Sequence, residues 1–436
     1  MKKIVKYILA FLILFMTFNI LLLVGSLFPS SLIGANVRES SKILRDEGNY
    51  YKILKYFETE NDNYTDAIMI NEAYSIDNTN PLYSYMAVRK NFEKGITQKS
   101  LLDTKGELIS INNPNEYDPI GELSEFLSGN IDTSINYARY WHGYLPALRI
   151  LLIFFNIKQI RILLLIVFIF LFIYFILLLK KKFGIMISII FGSSLIFEGY
   201  FCVSYSLECA PVFLVMMISG IWLLNKLDKI KNFYLFIFVV ACITNFVDYL
   251  TVPLITLAIP LYIFLLYKQK EKITYKDCFK IIFKASIIWL VGYGVTWLSK
   301  WVIYDIIYKE GLIKSAVNQI MYRTQSYNTR TDMTINGIIT KFIFENLLYI
   351  VLIYNFVIIM VICLSKKYRL KLNNITDYIQ STVPILIVSV MPFVWYISLA
   401  NHTVLHGVFV YRHMLIFLIG MMICLKNMFY IKKVKK

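Results

Sequence analysis

The chain has 436 residues, of which 58% are hydrophobic and 17% are charged, and its mean hydropathy is +0.60. Soluble globular proteins carry roughly 45–50% apolar and about 25% charged residues, so this composition excludes a cytosolic enzyme and equally excludes a disordered chain. The formal net charge of +17 indicates nucleic-acid binding in a soluble protein, but basic cytoplasmic connections in a membrane protein. The positions of the charges decide between the two.

Ten apolar runs are candidate membrane spans, since a helix needs about 20 such residues to cross roughly 30 Å of hydrocarbon. The first run follows Met-Lys-Lys, but it is too long for the apolar region of a signal peptide, so we expect a retained span. Only residues 248–251 separate the fifth run from the sixth. The sequence predicts an all-α polytopic membrane protein with about ten spans. The runs lie at 7–28, 159–179, 183–203, 207–225, 232–247, 252–267, 281–299, 345–364, 382–400 and 408–426.

Lysine and arginine concentrate on alternate connections, where 24 basic residues stand against four acidic ones. By the positive-inside rule these connections and both termini are cytoplasmic. The segment 29–157 carries 12 basic and 17 acidic residues and is therefore predicted to be extracytoplasmic. We expect a multi-pass protein of the cell (inner or cytoplasmic) membrane, with the lipid bilayer and not nucleic acid as its partner. Its parts are the first span (1–28), the extracytoplasmic segment (29–157) and a bundle of about nine helices (158–436).

The segment 29–157 has a helical pattern. Residues 36–57 alternate polar and apolar positions at helical spacing, a second helix opens with Thr65 and Asp66 as candidate caps, and a third begins at Pro81. Residues 137–157 are aromatic, basic and apolar, which is typical of a helix lying in the headgroup region. The six cysteines of the chain are scattered, and their spacing predicts neither a disulfide framework nor a metal site.

Polar residues gather at the extracytoplasmic ends of the predicted spans, where charged side chains by default mark function. The cytoplasmic ends carry almost only basic charges. This asymmetry predicts a site beneath the segment 29–157. The residues are Glu198, Glu208, Asp248, Asp305, Glu310, Arg323, Arg330, Asn401, His402, His406 and Arg412.

Several of these residues have a structural alternative. Asp66 is also a candidate N-cap, and Glu208 and Asp248 could cap the spans that follow them. Arg412 could extend its side chain to the headgroups. His402 and His406 are four residues apart, which suits metal ligation on one helical face, but a third ligand is missing and no metal site is predicted.

The layout of a first span, a large outer segment with an early acidic residue and then many spans resembles the GT-C class of polytopic glycosyltransferases. Three stretches also resemble a group of bacterial membrane proteins of that type: residues 63–69 (NYTDAIM), residues 139–145 (RYWHGYL) with Leu148-Arg149, and residues 401–406 (NHTVLH) with Tyr411-Arg412. The chain lacks the Trp-Trp-Asp triplet of the oligosaccharyltransferases and a clear Asp-Glu pair like that of the protein mannosyltransferases. Its nearest acidic pair is Glu60-Asn61-Asp62.

The resemblance implies transfer of a sugar from a polyprenyl-phosphate-linked donor to a cell-envelope glycan or polysaccharide on the outer face. It also implies a catalytic carboxylate in the segment 29–157, for which Asp66 is the candidate and Asp62 the competitor. Cations must hold the leaving phosphate, and a guanidinium does so bidentately. The candidates for this role are Arg149, Arg412, His402 and His406. The candidates for binding the acceptor or the sugar are His142, Tyr144, Glu208, Asp248 and Tyr249. No metal cofactor is assigned.

Two other functions fit the same layout. A transporter of lipid-linked sugars or a scaffold for envelope assembly is the first, but a transporter should carry polar residues along the middle of its spans, where this chain has mostly Ile, Leu, Phe and Val. A polysaccharide polymerase or ligase is the second, but these proteins usually place their main loop late in the chain. Both features favour the glycosyltransferase.

Overall fold

The computed structural model describes residues 2–53, 60–91, 118–131, 134–271, 273–325, 334–363 and 368–433. Arg330, one of the polar residues predicted at the outer face, lies outside these ranges. Within them, eight helices are long and apolar enough to cross a membrane, which confirms the prediction of an all-α membrane protein. These helices cover Ile4–Leu27, Ile157–Phe183, Ile185–Tyr205, Ala210–Lys229, Tyr275–Tyr308, Ile335–Leu352, Ile375–Ser398 and Gly407–Asn427.

Three small two-stranded sheets accompany the helices in the described part of the chain. Up to residue 156 the elements are α1 (Lys2–Leu27), α2 (Gly34–Glu47), β1 (Tyr50–Lys52), β2 (Glu60–Asp62), α3 (Asn63–Tyr74), α4 (Pro81–Ala87), β3 (Arg89–Asn91), α5 (Pro119–Leu127), β4 (Ser134–Asn136) and α6 (Leu145–Phe154). Then follow α7 (Ile157–Phe183), α8 (Ile185–Phe197), α9 (Ala210–Lys226), α10 (Phe233–Val247), α11 (Ile255–Lys270), α12 (Tyr275–Tyr308), α13 (Leu312–Thr324), α14 (Ile335–Cys363), β5 (Tyr368–Leu372), α15 (Ile375–Ser389), α16 (Met391–Ser398), α17 (Ala400–Leu405), α18 (Gly407–Val410), α19 (Met414–Asn427) and β6 (Phe429–Lys433).

The fifth and sixth predicted spans correspond to α10 and α11, which are 15 and 16 residues long. Both are shorter than the roughly 20 residues that cross the hydrocarbon, so their length does not establish them as crossings. Because they are consecutive, the other helices keep their sides of the membrane whether or not this pair crosses. Residues 255–266 of α11 are all buried, as expected for a helix that is apolar on every face and lies at the centre of a bundle.

The connections between the long helices gather at two ends of the bundle. At one end, Lys182 pairs with Asp228 at 2.6 Å, and the Gln269 side chain donates to the carbonyl of Ser381 at 2.8 Å. The antiparallel strands β5 and β6 lie at this same end. The other end carries the segment 29–157 and the connections that follow α8, α10, α12 and α16. All of the candidate site residues that the structure describes therefore lie at this second end.

The described parts of the segment 29–157 pack as a set of helices around a hydrophobic core that extends to Ile160 of α7. This core joins Val37 of α2, Ile70 of α3, Leu123 of α5 and Leu148 of α6, all of which are buried. On α6 the opposite face exposes Phe154. The helix predicted over residues 137–157 is thus shorter than expected, because residues 137–144 form an irregular stretch that is part of the site.

Two further predictions for this segment change. The helix expected over 36–57 ends at Glu47, because Gly48 adopts a φ of +79° and β1 follows. The N-cap of α3 is Asp62, whose carboxylate accepts from the backbone N–H of Thr65 at 3.0 Å, so the predicted caps Thr65 and Asp66 lie inside the first turn. The pairing of β1 with β2 explains this position, because β2 ends at Asp62 and the helix begins immediately afterwards.

Helix α12 fastens the segment 29–157 to the bundle. Its 34 residues extend over about 50 Å at 1.5 Å per residue, well beyond the roughly 30 Å of hydrocarbon. The indole N–H groups of Trp297 and Trp301 both donate to the carbonyl of Arg139, at 2.6 and 2.9 Å. The buried ammonium of Lys300 donates to the carbonyl of Met86 at 2.8 Å. Both contacts join backbone of the segment to side chains of one rigid helix.

Three of the predicted spans are interrupted at or near the second end. Helix α8 ends at Phe197, and Gly199 has a φ of +73° before a 3₁₀ turn over Cys202–Tyr205. Helices α15 and α16 are separated at Val390, and a 3₁₀ turn over Tyr411–His413 precedes α19. Such interruptions leave backbone groups without their helical partners.

Candidate functional site

Arg323 of α13 forms a cationic cluster with the two histidines that the sequence predicted to bind phosphate. Its guanidinium donates to Nδ1 of His402, and the other nitrogen of that ring donates to the carbonyl of Leu250 at 2.9 Å. The rings of His402 and His406 lie 4.7 Å apart. Burial, and next the charge of Arg323, lower the pKa of His402 well below its usual value and that of His406 to about 3. Both imidazoles are therefore neutral near pH 7, and Arg323 supplies the positive charge.

Aromatic rings connect this cluster to the irregular stretch 137–144. The guanidinium of Arg323 also donates to the hydroxyl of Tyr140 at 3.2 Å. The ring of Tyr140 lies 5.2 Å from that of Tyr249 and is stacked on Trp297 at 5.7 Å. Tyr249 in turn contacts the ring of His142 at 5.2 Å. The result is a continuous aromatic wall between α12, the connection after α10 and the segment 29–157.

The aromatic wall ends at the carboxylate of Glu72 on α3, which the sequence analysis did not select. Its Oε2 accepts hydrogen bonds from the hydroxyls of Tyr144 and Tyr249, the latter at 2.5 Å, and lies 3.3 Å from Nδ1 of His142. Its Oε1 is buried and has no hydrogen-bond partner in the described part of the chain. The structure therefore brings three predicted sugar-binding residues together around one acid. The one feature that could have identified Glu72 from the sequence is a charged residue within a short helix whose other residues are mostly apolar.

The two tyrosine hydroxyls on Glu72 remain protonated donors. Burial, followed by the nearby charge of Glu72, raises the pKa of both Tyr144 and Tyr249 well above the usual value. His142 is held from its other side, because its Nε2–H donates to the carbonyl of Tyr137 at 2.8 Å. This bond fixes the orientation of the ring, so that Nδ1 faces the Glu72 carboxylate and the Tyr249 hydroxyl, the latter at 3.0 Å. The site thus has a carboxylate, two hydroxyls and an imidazole in contact.

The predicted catalytic acids Asp62 and Asp66 lie at the other end of α3 and form a second cluster with Glu208. Asp62 binds the backbone N–H and the hydroxyl of Thr65, at 3.0 and 2.8 Å. Asp66 accepts from the backbone N–H of Leu207 at 2.8 Å and from Arg161 at 3.2 Å. Each carboxylate therefore uses both of its oxygens in contacts that hold α3 in place.

The three acids of this second cluster do not all carry a charge near neutral pH. Burial raises the pKa of Asp66 to about 7, with Arg161 opposing the shift, and it also raises the pKa of Asp62. Burial and the charges of both aspartates raise the pKa of Glu208 well above its usual value. Near neutral pH the cluster therefore carries less negative charge than three fully ionised carboxylates would.

Arg161 of α7, which the sequence analysis did not single out, is the cation of this cluster. Its guanidinium donates to Glu47 at 2.7 Å, to the Asn63 side chain at 2.7 Å and to Asp66 at 3.2 Å. It is 1% exposed. Arg161 therefore joins α2 and α3 to the first helix of the bundle that follows them.

Arg149, a predicted phosphate ligand, donates instead to backbone carbonyls. Its acceptors are the carbonyls of Gly25, Phe28 and Ala73, the first at 3.0 Å, and it also contacts the Ser30 hydroxyl at 3.3 Å. These acceptors lie at the C-terminal ends of α1 and α3. Arg149 thus holds the turn of α3 that carries Glu72.

The remaining predicted residues lie at the edges of the two clusters. Arg412 is 3% exposed and does not extend to the headgroups; it donates to the carbonyl of Val408 at 3.2 Å and lies near Asp62 and Glu208. Asp248 accepts from the Thr251 backbone N–H and from the Tyr293 hydroxyl, both at 2.8 Å. Burial raises the pKa of Asp248 to about 6. Neither Glu208 nor Asp248 is the N-cap of the helix that follows it.

Within the ranges that the structure describes, no group of three or more His, Cys, Asp and Glu side chains is placed to hold a metal ion. No protein-family model, curated protein or solved structure matches this chain. The chemistry of the site is therefore interpreted from its own geometry.

Proposed function

We propose that the protein is a membrane glycosyltransferase of the GT-C type, which transfers a sugar from a polyprenyl-phosphate-linked donor to a cell-envelope glycan. One observation carries the proposal: an unbroken series of contacts from the Arg323 cluster through Tyr140 and Tyr249 to the Glu72 carboxylate. A cation for phosphate, aromatic faces for a sugar ring and a buried carboxylate are the groups that such a transfer requires.

The donor phosphate binds at Arg323, with His402 and His406 as neutral partners. A guanidinium binds phosphate bidentately, but the guanidinium of Arg149 is not free to do so, since its donors already bind backbone carbonyls. Arg412 lies among acids, which weaken its attraction for an anion. Next to Arg323, α13 exposes an apolar stripe along which an isoprenoid chain can lie in the bilayer. The stripe consists of Ile313, Val317, Ile320 and Met321.

Glu72 acts as the general base. As the acceptor oxygen bonds to the anomeric carbon, its hydroxyl proton passes to the free Oε1 of Glu72, and the bond from that carbon to the phosphate oxygen breaks. The leaving polyprenyl phosphate keeps the electron pair and is held by Arg323. Asp66 is the alternative base, but it must first release Arg161 or the Leu207 N–H.

The topology that goes with this function has ten crossings, with α10 and α11 as a pair. The lysine-rich end, where Lys182 meets Asp228, is cytoplasmic together with both termini, and the site faces outward. The charge distribution supports this orientation, and so does the gathering of the polar residues at the other end.

The test is sugar transfer from a panel of polyprenyl-phosphate hexoses in membranes that contain the full chain. Glu72→Gln should lower the rate at least about 100-fold at unchanged membrane insertion, because general bases typically contribute 10²–10⁴-fold. Glu125→Gln, at an exposed position of α5, is the matched control and should retain full activity. Loss of activity in Asp66→Asn alone would assign the base to Asp66, and transfer at the normal rate by both variants would reject the proposal.

A further inference from the structure

Four buried oxygen atoms without hydrogen-bond partners lie where α8 is interrupted. Both carboxylate oxygens of Glu198 and the hydroxyl of Ser194 lack a partner in the described part of the chain, and so does the side-chain oxygen of Asn346. Ser194 lies one turn before Glu198 on the same face of α8, and the side-chain amide of Asn346 of α14 lies close enough to the Glu198 carboxyl for a weak hydrogen bond but not for one of normal geometry. Each of the three residues is at most 2% exposed.

Such a group of atoms indicates an occupant. A buried polar atom that has lost water and gained no partner destabilises the fold, and an uncompensated carboxylate does so most strongly. Native structures therefore satisfy buried polar groups with protein, water or ions. All four atoms here are oxygens that can accept or coordinate, so the occupant must be a hydrogen-bond donor or a cation.

The charges around Glu198 favour a cation. Its charged neighbours are Arg412 and Glu345, and Glu345 is itself paired with Lys341 at 3.7 Å. Arg412 is shared, because it also lies near Asp62 and Glu208. Arg412 therefore compensates the charge of Glu198 only in part, and a bound cation would complete the compensation.

The ligand types suit a hard monovalent ion. Carboxylate, amide and hydroxyl oxygens coordinate alkali and alkaline-earth cations rather than transition metals. A single nearby carboxylate balances one positive charge, whereas divalent ions commonly take several. Interrupted membrane helices, here at Gly199 and in the 3₁₀ turn that contains Arg412, are the places where free backbone carbonyls add to such sites.

We propose that Ser194, Glu198 and Asn346 form a binding site for a monovalent metal cation, with Na⁺ as its ion. The site is separate from the Glu72 site and does not depend on the proposed glycosyl transfer. It places an ion between α8, α14 and the start of α19, three helices that meet at the second end of the bundle.

The test is the thermal stability of the purified full chain in detergent, with NaCl replacing choline chloride at constant ionic strength. Constant ionic strength is needed because screening alone changes surface electrostatics. A bound ion should raise Tm in a saturable way, by about 1.5 °C at ten times its dissociation constant, and K⁺ should act at higher concentration. A Tm that depends on pH but not on Na⁺ would mean that Glu198 holds only a proton and would overturn the proposal.

Two variants and a control assign the ion to these residues. Glu198→Gln keeps the shape of the side chain and should abolish the Na⁺ response, and Ser194→Ala should lower the apparent affinity about tenfold. The exposed Glu271, which pairs with Lys268 at 2.6 Å, provides the control variant Glu271→Gln with an unchanged response. If Glu198→Gln fails to fold, the Na⁺ dependence of Tm in Ser194→Ala tests the site by itself. A normal Na⁺ response in the decisive variant would reject the site.

Discussion

The ion pair between Arg161 and Asp66 allows a stability prediction of defined size. Arg161 makes charge-assisted bonds to Glu47, Asn63 and Asp66 while it is 1% exposed, and Arg161→Met replaces it with an apolar side chain of similar length. Removing one partner of a buried ion pair costs about 3–5 kcal/mol, because the other charge stays buried. Burial already holds the pKa of Asp66 at about 7, so this carboxyl readily takes up a proton. We therefore expect the lower limit, about 3 kcal/mol.

The assay is thermal unfolding of the detergent-solubilised chain, in which this loss should lower Tm by roughly 3 °C for a chain of 436 residues. Lys182→Met is the control, since its ion pair with Asp228 is exposed and worth about 0–1 kcal/mol. The double variant Arg161→Met/Asp66→Asn should be more stable than the sum of the single changes predicts, by about 1–2 kcal/mol. Additive effects, or a loss below about 1 kcal/mol in Arg161→Met, would refute the reasoning.

Three further predictions concern pH, donor binding and packing. Folding raises the pKa of Asp66 from its usual value near 4 to about 7, so between these pH values the native state holds a proton that the unfolded chain has lost. The unfolding free energy should therefore fall as pH rises from about 4 to 7. In a pH series of unfolding curves, Asp66→Asn should remove that part of the pH dependence. Arg323→Ala should raise the KM for the lipid-linked donor at least about tenfold, with Arg323→Lys in between, and an unchanged KM would reject the phosphate role. In Gly143→Ala the new Cβ would lie 2.5 Å from the Phe246 carbonyl oxygen and should lower Tm, whereas Gly294→Ala meets nothing within 4 Å and should be neutral or stabilising.

Much of the membrane fold could be predicted because the spans are continuous apolar runs. Helices α1 and α7 expose many of their aliphatic side chains, so their composition alone identifies them. The pair α10 and α11 is harder to predict as membrane spans, because both helices are short and their burial depends on the helices packed around them. The cap of α3 was misplaced by one turn because the pairing of β1 with β2, which fixes Asp62, is a contact between residues about ten positions apart.

The candidate site could be predicted only as a set of side-chain types. His142, Tyr144 and Tyr249 were selected for their polar and aromatic character, and the structure brings them onto one carboxylate. Glu72 itself was missed, because which face of a short helix is buried depends on the packing of the whole segment. Arg149 was predicted as a phosphate ligand since the sequence shows a charge near a span but not the carbonyls that receive its donors.

The attachment of the segment 29–157 to α12 restricts how a substrate can reach Glu72. Three side chains of α12 donate hydrogen bonds to the backbone of the segment at two separate places: Trp297 and Trp301 to one carbonyl, and Lys300 to another. The segment cannot move away from the bundle without bending α12 or breaking several buried hydrogen bonds. Entry from the side, between helices and along the plane of the bilayer, leaves these bonds intact. Such a lateral route would let a substrate keep its hydrocarbon chain in the lipid throughout.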